Sequence, residues 1–272
     1  MMPLIWLRFA LVCYAAGLLY ALVALTRSSE ILSKIALHAS YIGMVFHFVS
    51  LTEAVVQSGQ LASASVHNAE SLLAFLIMVV FMVAYLIYKT TTPGIVIFPL
   101  VFLLTFVAST GQQPLVFDSD VAKKGWLALH ILTIFAGYAA LFFSFSASIL
   151  YLVQERALKS KSSSGLFSRL PALQVIDDIA YRCLMIGFPF MTLGLIAGSV
   201  VAESTYGRID FFDPKILLSV LMWAVYLLMV FTRLNAGWRG RRAATLASVA
   251  FAAAVVAWIA NYFSGMHRFI AS

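Results

Sequence analysis

Charge is scarce in this sequence. Asp, Glu, Lys and Arg make up 11% of its 272 residues and hydrophobic residues 62%, against about 25% and 45–50% in an average soluble domain. So little charge cannot coat a water-facing surface, which excludes a soluble globular protein and a disordered chain. Cysteine is nearly absent as well. Cys13 and Cys183 lie far apart and outside any C-x-x-C pattern, which excludes a disulfide scaffold and a thiol–disulfide carrier. They read as small buried hydrophobes. A third lack is of Asp, Glu, Lys and Arg in the middle of the apolar runs. Ion-coupled transporters place carboxylates or broken helices near the membrane midplane, so a proton-driven pump and a small-molecule permease are both disfavoured.

Long apolar runs are abundant instead. They cover 4–25, 31–52, 69–88, 94–111, 125–153, 178–203, 214–232 and 243–263, each close to the ~20 residues that cross a bilayer. The runs are continuously apolar rather than alternating, which predicts helices and not a barrel. The expected fold is all-α, a polytopic membrane helix bundle of about eight transmembrane helices forming a single domain over 1–272. Residues 1–124 hold its first four spans. The first run is too long for a signal peptide and has Arg8 inside it, so it reads as a retained span. Twelve of the eighteen cations fall in loops 1–2, 3–4, 5–6 and 7–8, so the positive-inside rule puts both termini on the outer side. The net charge of +7 then serves topology, and nucleic acid is not an expected partner. The expected location is a bacterial inner (cytoplasmic) membrane, with lipid as a partner.

Loop 154–177 carries a Lys- and Ser-rich stretch at 159–165 and reads as a flexible linker before the last three spans. The basic run 237–242 reads as a topology anchor with affinity for anionic lipid. Gly194 and Gly198 form a G-x-x-x-G pair, with Gly187 one heptad earlier, and His130, Gly137 and Ser144 recur every seven residues. Such stripes let helices approach closely, and packing accounts for the glycines.

The histidines are where a function shows. His67 falls in the charge-poor outer loop. His130 lies about one and a half turns into the fifth span, some 9 Å below the outer loop, and His267 follows the eighth span on the same side. Two imidazoles from opposing helix ends suit a metal between them, and haem iron is commonly held by His. Zinc wants three or four ligands, which no local cluster supplies. Trp126, Tyr206, Phe211, Phe212, Trp258 and Tyr262 offer faces for a flat apolar macrocycle, and Arg208, Arg268, Lys123 and Lys124 suit its carboxylates. On spacing alone, an interfacial histidine is more often a polar anchor and an interfacial Trp or Tyr a belt residue, so both readings stay open. His38 and His47 are nine residues apart in the second span, on opposite faces of a regular helix. Each serves either a further haem-related site or a hydrogen bond to a neighbouring helix.

The order of features from the fifth span onward carries a resemblance. It runs through Trp126, His130, Gly137-Tyr138, Gln154-Glu155-Arg156, Gly187-Phe188, Gly194, Gly198, Asp213-Pro214-Lys215, Trp223, Tyr226, Gly237-Trp238-Arg239-Gly240-Arg241-Arg242 and His267. This closely resembles the transmembrane cytochrome c assembly family, especially its small CcsA/HemX-like branch, over 125–267. Spans one to four match in hydropathy and in having a His in span two. The resemblance implies an eight-helix protein that holds or hands over haem, haem b, at the outer face. Its axial ligands are His130 and His267, so that these two hold the iron. Apocytochrome c or another assembly subunit would receive the haem. The thioether chemistry needs apocytochrome cysteines, so the chain is not expected to be an enzyme by itself. The family's haem-presenting loop reads Trp-Gly-x-x-Trp-x-Trp-Asp. Here Gly207 and Asp213 match, Tyr206 and Phe212 keep aromatic character, and Asp210 replaces an aromatic residue. A carboxylate there loses stacking and repels propionates, so an altered site is expected. The HemX-like branch shares such a degenerate loop. It implies the alternative of a haem-synthesis regulator acting through the inner loops on glutamyl-tRNA reductase, without haem of its own.

Overall fold

The computed structural model describes residues 2–27, 29–58, 66–111, 121–160, 171–206 and 214–263. Regular structure among them is entirely helical: α1 (Met2–Arg27), α2 (Glu30–Ser58), α3 (Val66–Tyr88), α4 (Gly94–Ser109), α5 (Val121–Lys159), α6 (Leu173–Tyr206), α7 (Pro214–Leu234) and α8 (Arg241–Phe263). Each apolar run makes one helix, because in lipid a backbone can be satisfied only within its own segment or a closed barrel. Among the described residues, α1, α2, α3, α5, α6 and α7 are long and apolar enough to cross a membrane. α4 has 16 residues, about 24 Å of helix against a hydrocarbon core of ~30 Å. α8, which opens on Arg241 and Arg242, is also outside the six.

Several helices overrun the expected spans. α5 has 39 residues, about 58 Å, and continues past the bilayer to Lys159. Its last turn is helped by cations at the C-terminus, Arg156 and Lys159, and by a Lys159–Glu155 pair at 2.7 Å with the spacing that faces side chains together. α6 already begins at Leu173. The expected linker 154–177 therefore shrinks, with 154–159 and 173–177 helical, and 161–170 lie outside the described residues. At the other end His67, expected in a loop, falls in the first turn of α3.

α1 packs along α2 and α5 along α6, while α3 lies on α4 and α5, α4 on α1, α8 on α5 and α7 on α6. One core gathers α1–α4 with parts of α5 and α6 around Tyr14, Phe81, Phe98 and Phe143. The other joins α5–α8 around Ile134, Met191, Tyr226 and Met229. Val12, Ile31, Leu86 and Leu193 are among the large apolar side chains left exposed. On the outside of a membrane bundle such side chains meet lipid.

The α5–α6 seam is built from small residues. A Cβ on Gly137 would stand 3.2 Å from the Met191 backbone nitrogen, one on Gly187 2.9 Å from Ala140 Cβ, and one on Gly194 3.0 Å from the Ile134 nitrogen. Ser144 Oγ donates to the Ala180 carbonyl at 2.9 Å. Both seven-residue stripes of the sequence thus face one another. α7 docks on this seam, where the Tyr226 hydroxyl donates to the Gly137 carbonyl at 2.8 Å and Trp223 Nε1 donates to Thr192 Oγ1 at 3.0 Å.

Candidate functional site

His130 stands nine positions into α5, about 13 Å along the helix from Val121, on the face that meets α6. Its Nδ1 is 2.7 Å from the Gly194 carbonyl oxygen. A carbonyl only accepts, so Nδ1 carries a proton, and in the neutral ring Nε2 keeps its lone pair. The ring is half-buried and lies where Gly198 has no side chain. A Cβ on Gly198 would be 2.7 Å from both Cε1 and Nδ1 of the ring. No hydrogen-bond partner of Nε2 occurs among the described residues. This leaves one nitrogen anchored and the other available, which is how metal-bound histidines are usually oriented. Trp126, one turn earlier, is 44% exposed.

The other histidines differ. His47 is fully buried, with Nε2 2.9 Å from Ser71 Oγ and Nδ1 3.4 Å from the Tyr14 hydroxyl. Both ring nitrogens face partners on other helices. His38 is exposed, with Nδ1 2.7 Å from the Lys34 carbonyl one turn back. The two point opposite ways, as their spacing requires, and neither is brought to His130. The structure does not show His130 and His267 together, because His267 and Arg268 lie outside the described residues, as do Arg208 and Phe212. Lys123, Lys124 and Tyr206 belong to the ends of α5 and α6, and their side chains, with that of His67, are also outside. Among the described residues no group of three or more His, Cys, Asp or Glu could hold a metal ion.

A polar cluster at the opposite end of the bundle was not visible in the sequence. Asp177 of α6 accepts from Arg233 of α7 at 2.8 and 3.1 Å and from the Gly240 amide at 3.2 Å. The Arg233 side chain is 6% exposed. Asp178 accepts from the Tyr88 hydroxyl at 2.6 Å and pairs with Arg182 at 2.9 Å. A cleft of about 610 Å³ lies between Tyr88, Gln174, Tyr181 and Arg239. The basic run 237–242 is therefore more than a surface anchor: Gly237 and Gly240 take φ of +63° and +61°, and the turn they make is clamped onto α6. The signal in the sequence was Gly237 and Gly240 flanking Trp238-Arg239, two glycines placed where a turn needs positive φ.

These features define a polytopic membrane protein that holds an oriented imidazole at one end of its helix bundle. The chain belongs to the cytochrome c assembly protein family, whose sequence profile matches residues 65–270. The match takes in α3 and α4 as well as the region from 125. The chain is similar to proteins called cytochrome c biogenesis protein CcsA. That of Guillardia theta is 29% identical over 75% of this chain and 73% of its own length, and that of Heterosigma akashiwo 29% over 74% of each. With the relative in Synechococcus sp. the identity is 32% over 50% of this chain and 52% of the relative, so the chain spans about half of that protein. None of these names speaks for the HemX-like alternative.

Proposed function

We propose that this protein binds haem b at the His130 end of its bundle and holds it for handover in cytochrome c biogenesis, with His130 and His267 as axial ligands. Family membership supports the process. The observation that carries the ligand role is the His130 ring, anchored through Nδ1 with Nε2 free to coordinate. The donor chemistry fits, since neutral imidazole is a common ligand of haem iron, and haem supplies that iron. Trp126, Tyr206 and Phe212 give the macrocycle apolar edges, and Arg208, Arg268, Lys123 and Lys124 meet its propionates by charge-assisted bonds. Asp210 weakens the covering loop. Residues 1–124 support the site and 125–267 form it, within one transmembrane domain. The site faces the outer side of a bacterial cytoplasmic membrane, where apocytochrome c or another assembly subunit receives the haem.

The visible spectrum of the purified protein tests this reading. A Soret band is expected in the wild type and is lost in a His130→Ala, His267→Ala double variant. It fades on acidification, because protons compete for the ligating nitrogens. A colourless wild-type protein, or an undiminished band in the double variant, sinks the assignment.

A further inference from the structure

Four glycines line the α5–α6 seam, and three of them meet ordinary packing atoms. Gly137 faces Met191, Gly187 faces Ala140 and the Tyr226 hydroxyl, and Gly194 faces Ile134. Gly198 alone faces an imidazole, that of His130. Its place in the helix explains why. In an α-helix the carbonyl of residue 194 accepts the amide of residue 198, and the side chain of 198 would flank that carbonyl. With no Cβ there, the second lone pair of the Gly194 oxygen lies open to a donor from α5, and His130 Nδ1 takes it at 2.7 Å.

We propose that Gly194 and Gly198 are positioning residues for the haem ligand: the bare Gly198 backbone gives the His130 ring its berth, and the Gly194 carbonyl selects the tautomer whose Nε2 faces the iron. The inference rests on the haem reading above for its purpose, but the tautomer itself belongs to the protein without haem. Gly194 acts twice, once by letting the helices close and once through its oxygen. The G-x-x-x-G pair is then part of the site as well as of the packing. A bond from the second ring nitrogen to a carbonyl holds the ring at a fixed angle and makes the ligating nitrogen more basic, and loss of such a partner typically weakens metal binding about 10–100-fold.

The test uses full-length protein labelled with ¹⁵N-histidine and prepared without haem, the His130 signals being assigned by their absence in His130→Gln. The wild type is expected to show a proton on Nδ1 and none on Nε2. Gly198→Ala is expected to give mixed tautomers and about 10–100-fold weaker haem uptake. Gly187→Ala loosens the same seam away from the ring and is expected to leave the His130 signals unchanged, which separates positioning from general packing. A wild-type ring protonated on Nε2 overturns the proposal, and so do unchanged signals in Gly198→Ala. If that variant does not fold, the wild-type tautomer still decides. A wild type with the expected tautomer that takes up no haem upholds the berth and overturns the haem reading. Haem that depends on His130 but ignores Gly198 overturns the berth alone.

Discussion

His47 is enclosed on every side, by Tyr14 from α1, Ser71 from α3 and the edge-on ring of Phe75. A buried polar ring is tolerated when its nitrogens have partners, and here the partners tie three helices together. Ser71→Ala strands Nε2 without a partner, and the expected cost is about 1–3 kcal/mol. Thermal unfolding in detergent measures it, and the visible spectrum of the surviving fold is expected to match the wild type. A folded Ser71→Ala protein with altered haem absorption would place His47 in the haem site. The nine-residue spacing of His38 and His47 already required opposite faces, and one is exposed while the other is buried. The partners were not legible, because Ser71 and Tyr14 are 24 and 33 residues away. The same limit applies at His130, whose carbonyl partner is 64 residues distant and belongs to a pair of glycines that close helix packing also accounts for.

The α7–α8 connection shows what an element gains from such contacts. α7 ends with the Trp238 amide donating to the Thr232 carbonyl at 3.0 Å, a closure that positive φ at Gly237 permits. Gly240 then brings the chain against α5, where a Cβ would stand 2.7 Å from the Tyr151 hydroxyl. Asp177 holds the whole turn through Arg233 and the Gly240 amide. The Arg233 side chain is largely buried while Asp177 keeps 19% exposure, so Asp177→Ala, which removes charged hydrogen bonds at a partly buried site, is expected to cost about 1.5–3 kcal/mol. Glu30→Ala, which breaks the exposed Glu30–Lys34 pair, is expected to change stability by no more than about 0.5 kcal/mol. Chemical denaturation of both variants in detergent checks the contrast, and equal losses would refute a buried clamp. The helices and the α5–α6 seam were readable because hydropathy and heptad spacing are local. The clamp was not, since Asp177 and Arg233 are 56 residues apart and each looks like an ordinary charge beside an apolar run.

Across the whole molecule, helix ends sort into two groups. Tyr88 at the end of α3 reaches Asp178 at the start of α6, Arg233 at the end of α7 reaches Asp177, and Arg241 at the start of α8 lies 3.8 Å from Glu155 near the end of α5. A cleft of about 350 Å³ joins Leu25 of α1, Glu30 of α2 and Thr91 and Thr92 before α4. All of these are at one end of the bundle, and Arg27, Lys34, Lys89, Lys159 and Arg182 belong to the same helix ends. The chain must therefore cross between Thr92 and Val121, because α5 runs back toward this end. The short α4 runs in that direction, and a helix shorter than the hydrocarbon core is generally accommodated by bilayer thinning or by snorkelling flanks. The crossing preserves the parity on which the orientation depends. By the positive-inside rule the Arg233–Arg241 end is expected in the cytoplasm, with His130 on the outer side. Single cysteines in a Cys13→Ser, Cys183→Ser background, probed in intact cells with a membrane-impermeant maleimide, decide it. Ser272→Cys is expected to label and Asn235→Cys to label only after lysis. The reverse pattern would put the His130 end in the cytoplasm and contradict the proposed handover of haem at the outer face.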